Sequence, residues 1–213
     1  MTDIVVLDYG SSNLRSVFKA LEYVAGKNQR ISVSDQVNRI LAADRVVFPG
    51  QGAIGQCMQS LQRQELDQAI LKCIDKKPFL GICLGLQSLM DRSDEDNGVD
   101  GLGIIRGQVL RFPDNTHDEH GQTRKIPHMG WNEVLQTQPH VLWNGIADRT
   151  RFYFVHSYYI QTEKESDIAA KTEYAVTFTS AVARDNIFAT QFHPEKSQQA
   201  GLDLLKNFLN WDI

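Results

Sequence analysis

A single thiol bracketed by glycines constrains this chain more than any other feature. Cys83 lies in Phe79-Leu80-Gly81-Ile82-Cys83-Leu84-Gly85, an apolar run that must turn where its glycines stand. The pattern predicts a strand, a tight turn and a helix start, with the cysteine at the apex. Nucleophile elbows have this form, because larger neighbours would collide at the turn. A thiol at a helix N-terminus also meets the positive end of the helix dipole, which favours thiolate. Taken alone, the same residues equally fit a buried structural cysteine.

A second stretch bears on that choice. Near the C-terminus the chain reads Ala189-Thr190-Gln191-Phe192-His193-Pro194-Glu195-Lys196-Ser197. Residues two apart in an extended segment project to one side, so His193 and Glu195 are expected to meet. The carboxylate would hold one imidazole nitrogen and leave the other for a thiol. Pro194 fixes its own φ and pushes His193 towards extended geometry. A base oriented by a third group is the logic of an activated nucleophile. His-Pro-Glu by itself also fits a surface turn; together with the glycine-flanked cysteine it points to catalysis.

Composition bounds the rest. The 213 residues suffice for one α/β domain spanning 1–213, with no repeat or linker. A net charge of −4 and no basic run argue against nucleic-acid binding. Cysteines 57, 73 and 83 form no Cys-x-x-Cys pair, so neither a disulfide framework nor a cysteine zinc site is expected. The chain enters Ile4-Val5-Val6-Leu7 without a charged lead, and no apolar run reaches spanning length. A cytoplasmic, reduced location without membrane contact is the expectation, as a working thiolate requires.

The first half alternates predicted strands (Ile4 to Leu7, Arg45 to Phe48, Lys77 into the elbow) with helices. One helix carries Leu14, Val17, Phe18, Leu21 and Val24 and stops at Gly26; another covers much of Gln56 to Asp75; Gln87 to Met90 extends the helix after the elbow. This implies a mainly parallel central sheet between helical layers, with the elbow and Gly50-Gln51-Gly52 at carboxyl ends of strands. In the second half Ile104 to Phe112, Arg151 to Ile160, Ala175 to Ala183 and Ile187 to Phe192 read as additional strands, and Asp91 to Gly101 as a loop. Ser197 is placed to cap a last helix with Leu202, Leu205, Phe208 and Leu209 on one face.

The elbow cysteine, the His-Pro-Glu string and the glycine loop together resemble the class I (triad) glutamine amidotransferases, a three-layer, flavodoxin-like α/β family. Asp8-Tyr9-Gly10-Ser11-Ser12-Asn13-Leu14-Arg15-Ser16-Val17, Pro127-His128-Met129-Gly130-Trp131-Asn132, Tyr153-Phe154-Val155-His156-Ser157-Tyr158 and His193-to-Ser197 narrow the likeness. They resemble the glutaminase subunits of imidazole glycerol phosphate synthases, in histidine biosynthesis, over essentially the whole chain.

The resemblance implies a Cys83, His193, Glu195 triad that hydrolyses L-glutamine to glutamate and ammonia through a glutamyl thioester. Its oxyanion donors would be the N–H of Leu84 and the loop at Gln51 and Gly52, where a peptide reorients. Gly50, Gln87 and the backbone near Ser157 would contact substrate. No cofactor or metal is implied. Ammonia would pass to a (β/α)₈ cyclase subunit that makes imidazole glycerol phosphate and an aminoimidazole carboxamide ribonucleotide. Asn13, Met129, Trp131, Tyr153 and Lys196 would meet that partner in a heterodimer; without the resemblance, Trp131 and Tyr153 fit core aromatics equally well. Ser12 and Gln51 depart from the family's usual glycine and small aliphatic residue, which puts regulation rather than reaction class in question.

Other stretches carry less. Thr116-His117-Asp118-Glu119-His120 is read as a solvated loop, His128 and His156 as structural or near the interface, Cys57 and Cys73 as inert, and Gly101-Leu102-Gly103 as a turn. Alternative functions are a paralogous glutaminase serving another synthase, a stand-alone cysteine γ-glutamyl hydrolase, and a non-catalytic interaction subunit.

Overall fold

Strand β1 (Thr2–Leu7) is apolar throughout because both its faces are covered. Ile4 and Val6 pack into one core cluster, Val5 and Leu7 into another. Parallel strands buried on two sides need no polar alternation. The computed structural model describes residues 1–11, 13–114, 116 and 121–213. After β1 come α1 (Leu14–Val24), β2 (Gln29–Ser34), α2 (Val37–Ala42), β3 (Arg45–Gly50), α3 (Ile54–Arg63), α4 (Leu66–Cys73), β4 (Phe79–Cys83) and a single turn, α5 (Leu84–Gln87). The second half adds β5 (Arg92–Ser93), β6 (Val99–Asp100), β7 (Gly107–Arg111), β8 (His128–Glu133), β9 (Leu135–Gln136), β10 (Arg151–His156), β11 (Tyr158–Thr162), β12 (Ile168–Tyr174), β13 (Val176–Arg184), β14 (Ile187–Thr190) and α6 (Gln198–Leu209).

Among the described residues, the main sheet runs β2-β1-β3-β4-β14-β13-β11-β7-β5-β6. The block from β2 to β14 is parallel, and β13 turns antiparallel. Residues of α1 and α6, such as Leu21, Leu205 and Phe208, cover one face. Ile40, Leu61 and Ile70 from α2, α3 and α4 cover the other. β14 pairs with β4 so that Thr190 lies opposite Ile82. The chain leaving β14 therefore arrives beside the end of β4, which is what brings the last third of the sequence to Cys83.

Several expectations change. β2 and α2 went unread: β2 is an edge strand, paired only with β1 and half-exposed, so its apolar signal is thin. The helix expected within Gln56 to Asp75 starts earlier and breaks at Glu65, whose left-handed φ of 58° separates α3 from α4. The helix after the elbow stops at Gln87 instead of running to Met90. Arg151 to Ile160 is two strands: β10 pairs with β8 in a separate ribbon, and β11 enters the main sheet after Ser157. β12 is a further hairpin partner of β13, and the Asp91 to Gly101 loop contains β5 and β6. Among the described residues no helix is long and apolar enough to cross a membrane. His117 to His120 and Ser12 lie outside the described residues.

Candidate active site

Cys83 ends β4 with φ 54° and ψ −105°, a backbone conformation that side chains disfavour. Strain of this kind, of order 1–3 kcal/mol, survives only where the surroundings impose it. The imposing contact is close packing: a Cβ built at Gly85 would land on the carbonyl oxygen of Phe48 in β3. Gly50, the last residue of β3, is Cys83's register partner. A side chain at Gly50 would meet Leu84 Cβ at 2.9 Å and the Tyr9 hydroxyl. Gln51 and Gly52 follow directly, and Gly52 has φ +99°. Leu84, Gly50, Gln51 and Gly52 thus lie at or next to the elbow. One turn of α5 carries little dipole, so the thiolate support expected from a helix N-terminus is small.

His193 and Glu195 meet, although not through extended geometry. His193 is extended, but Pro194–Lys196 form a 3₁₀ turn that folds the carboxylate back. Nδ1 lies 2.8 Å from Glu195 Oε1, with both side chains fully buried. The amide of Asn13 donates to the same oxygen at 2.6 Å. Asn13 was expected at the partner surface; it is 5% exposed, and it stands at the N-cap of α1 without capping it. Ser197 likewise does not cap α6. Its hydroxyl donates to the His193 carbonyl at 2.7 Å and accepts from the Tyr153 N–H, while the His193 N–H donates to the Tyr153 carbonyl at 2.9 Å.

The charge pattern follows from these contacts. Burial of Glu195 opposes its ionisation, but the hydrogen bonds from His193 and Asn13 outweigh it and hold the carboxyl below its usual range. Burial opposes the imidazolium of His193 too; the Cys83 sulfur and Glu195 overcome it and raise the ring to about 10. Nε2 is buried and, among the described residues, has no partner at bonding distance. Cys57 and Cys73 are buried thiols that desolvation pushes up to about 11.

Gln191, which sequence reasoning passed over, donates from Nε2 to Cys83 Sγ at 3.7 Å. Gln87 donates to Gln191 Oε1 at 3.2 Å and to the Tyr158 carbonyl at 2.9 Å. The Ser157 carbonyl accepts from the Phe112 N–H, at the point where the chain changes sheets. On the ribbon, Met129 and Trp131 are 65% and 43% exposed, Trp131 packs edge-on against Tyr153 at 6.1 Å, and Lys196 is exposed beside the triad turn.

His128 and His156 are register partners at one end of this ribbon, buried and 2.9 Å apart. Burial, then the Arg124 guanidinium, lowers His128 to about 4; burial, then His128, lowers His156 to about 3. An unfolded chain binds these protons near pH 6.5, so the unfolded state gains protons first as pH falls. Stability from the pair is full above 6.5 and declines as pH drops towards 4, by on the order of 2 kcal/mol per ring at pH 5. Urea unfolding at pH 7.5 and pH 5 should register that loss, and His156→Gln should roughly halve it. An undiminished pH slope in the variant would count against the assignment.

A thiol at a strained elbow, a glycine loop next to it and a buried His–Glu pair make up the candidate site. The family model for glutamine amidotransferase class-I matches residues 5–211, and the chain belongs to that family. Among its relatives, the imidazole glycerol phosphate synthase subunit HisH of Nitrosococcus oceani is 55% identical over 212 residues, covering 100% of this chain and 99% of that protein. The subunit of the same name from Dechloromonas aromatica is 56% identical, covering 98% and 96%. A crystal structure of a glutamine amidotransferase shares the fold with a TM-score of 0.70 at 14% identity, covering 97% of each chain.

Proposed function

We propose that this chain is the glutamine-hydrolysing subunit of an imidazole glycerol phosphate synthase, acting in the cytoplasm in histidine biosynthesis. The observation that carries the reading is Cys83 on its strained elbow within electrostatic reach of the buried His193–Glu195 pair. Full-length relatives of the same description support the pathway.

In this mechanism His193 holds the thiol's proton on Nε2 while Sγ attacks the side-chain amide carbon of glutamine. The oxyanion is met by N–H groups of Leu84 and the Gln51–Gly52 loop. His193 returns the proton to the departing nitrogen as the C–N bond breaks, which gives ammonia and a glutamyl thioester. Water then attacks the thioester, losing a proton to His193, and the C–S bond breaks to give glutamate and the free thiol. Gly50 and the backbone near Ser157 border the substrate. Both amide hydrogens of Gln87 are committed inward, so it has only its carbonyl oxygen to offer, an acceptor suited to an α-ammonium group.

Ammonia passes to a (β/α)₈ cyclase partner, with which this chain forms a heterodimer. Exposed Met129 and Trp131, adjoining Tyr153 and Lys196, form the contact; an apolar, aromatic patch with a cation is the make-up of an interface anchor. Asn13 acts from inside by holding Glu195. Asn13→Ala should lower kcat for glutamine about tenfold with a smaller change in KM, because the carboxylate keeps its charge but loses a positioning bond.

The decisive experiment measures glutamate release from glutamine by the purified chain, with and without a cyclase barrel and its nucleotide ligand. Low activity alone and a large rise with the barrel is the expected result. High activity indifferent to the barrel would favour a stand-alone γ-glutamyl hydrolase.

A further inference from the structure

We infer that Gln191 is a positioning residue for the nucleophile, its amide N–H aimed at Cys83 Sγ by Gln87, which shares the Tyr158 carbonyl as acceptor with a run of hydrogen bonds that starts on the surface ribbon at Asn132. The direction of every link is forced by its chemistry. Asn132 Oδ1 accepts from the Glu133 N–H at 2.8 Å, so its Nδ2 faces inward. That nitrogen donates to the Glu173 carbonyl at 2.9 Å and lies 3.3 Å from His128 Nε2, which must therefore accept. At the other end, His156 Nδ1 lies 2.8 Å from the Tyr158 carbonyl, which can only accept, so His156 carries its proton on Nδ1. Its Nε2, 2.9 Å from His128 Nδ1, then accepts from that ring. Both histidines are thus neutral Nδ1–H tautomers, and a second proton on either would set two donors face to face. Their lowered proton affinities agree.

Two donor paths meet on one atom. The Tyr158 carbonyl receives His156 and also Gln87 Nε2, the two bonds an oxygen can take. The remaining Gln87 hydrogen goes to Gln191 Oε1. With its oxygen held there, Gln191 can present only its NH₂ to the sulfur 3.7 Å away. Gln191 is fully buried and Gln87 is 5% exposed, so neither amide can turn over to water instead. A fixed donor on the sulfur stabilises negative charge as the thiol gives up its proton and holds Sγ on its line of attack. Asn132 shares β8 with exposed Met129 and Trp131, so this chain also ties the ribbon to the nucleophile.

The catalytic consequence rests on the glutaminase reading, but the tests read the chain itself. Long-range ¹H–¹⁵N spectra of the histidine rings at pH 7 should show Nδ1–H on both His128 and His156; an Nε2–H signature on either ring overturns the direction of the chain. In Asn132→Asp the carboxylate cannot donate, so His128 should take a proton on Nε2, and an unchanged His128 spectrum counts against the link. Gln191→Met keeps length and volume but removes the donor. Iodoacetamide labelling of Cys83 at pH 7, mapped by mass spectrometry, should slow about tenfold with the fold intact. An unaltered labelling rate would remove Gln191 from its assigned role. If wild-type chain shows this labelling and tautomer pattern yet never hydrolyses glutamine, the functional reading fails while this inference stands.

Discussion

Cys83→Ala and Cys83→Gly should both abolish glutamine hydrolysis, by about 10⁴-fold or more, while reversing the usual order of stability between the two residues. The first half follows from the chemistry: without sulfur there is no thioester, and the loop and pocket alone give only residual acceleration. The second follows from the backbone. Alanine normally exceeds glycine in stability because the unfolded glycine chain has more freedom to lose. At φ 54° and ψ −105° that order inverts, since only glycine occupies the conformation without steric cost. The glycine variant should be at least about 1 kcal/mol more stable than the alanine variant, or about 2–4 °C in melting temperature for a chain of this size. Equal stability, or the alanine variant melting higher, would show that the elbow relaxes once the thiol is gone. Cys83 thus stands where stability is given up for geometry, as its proposed role as nucleophile requires.

Gly85→Ala should damage the whole fold rather than the chemistry alone. The added methyl would occupy the position of the Phe48 carbonyl, a backbone atom of β3 that cannot swing aside as a side chain can. Either α5 lifts from the sheet or β3 and β4 separate. Both routes disturb the Gly50–Cys83 register on which the elbow and the glycine loop depend. Overpacking against backbone costs about 3 kcal/mol or more, a fall in melting temperature of about 6–12 °C. Gly26→Ala is the control. Its Cβ would meet only the Gln29 side chain at 3.7 Å and larger distances, and it should change stability by less than about 0.5 kcal/mol. Comparable losses in both variants would mean that close approach of α5 to β3 is not the constraint.

Much of the site was legible before the fold was known, because its parts are local. Phe79 to Gly85 needs no distant partner to announce a turn: glycines stand where a side chain would hit β3 or β14. The union of His193 with Glu195 was legible as well, although its reason was not. The expected extended geometry is a 3₁₀ turn, pinned by Ser197 and Tyr153 from outside the string. Gln191 and Asn13 were missed or misplaced for one reason. A lone amide has no periodicity and no spacing rule, and its role is defined by what lies across the fold, 108 residues away for Gln191 and 182 for Asn13. The ribbon of β8 and β10 was misread because Arg151 to Ile160 is β-rich throughout, and nothing in its composition says that Ser157 sends its two halves to different sheets.

By itself, the sequence determined the α/β alternation, the elbow at Cys83, the neighbouring glycine loop and the pairing of His193 with Glu195. Each of these depends on short-range sterics and side-chain chemistry. The tertiary structure alone decided which buried amides reach Cys83 and Glu195, that His128 and His156 meet, and that β14 delivers His193 beside β4. Such contacts join residues far apart in the chain, and their energies come from burial and hydrogen-bond satisfaction that exist only once the sheet has closed around them.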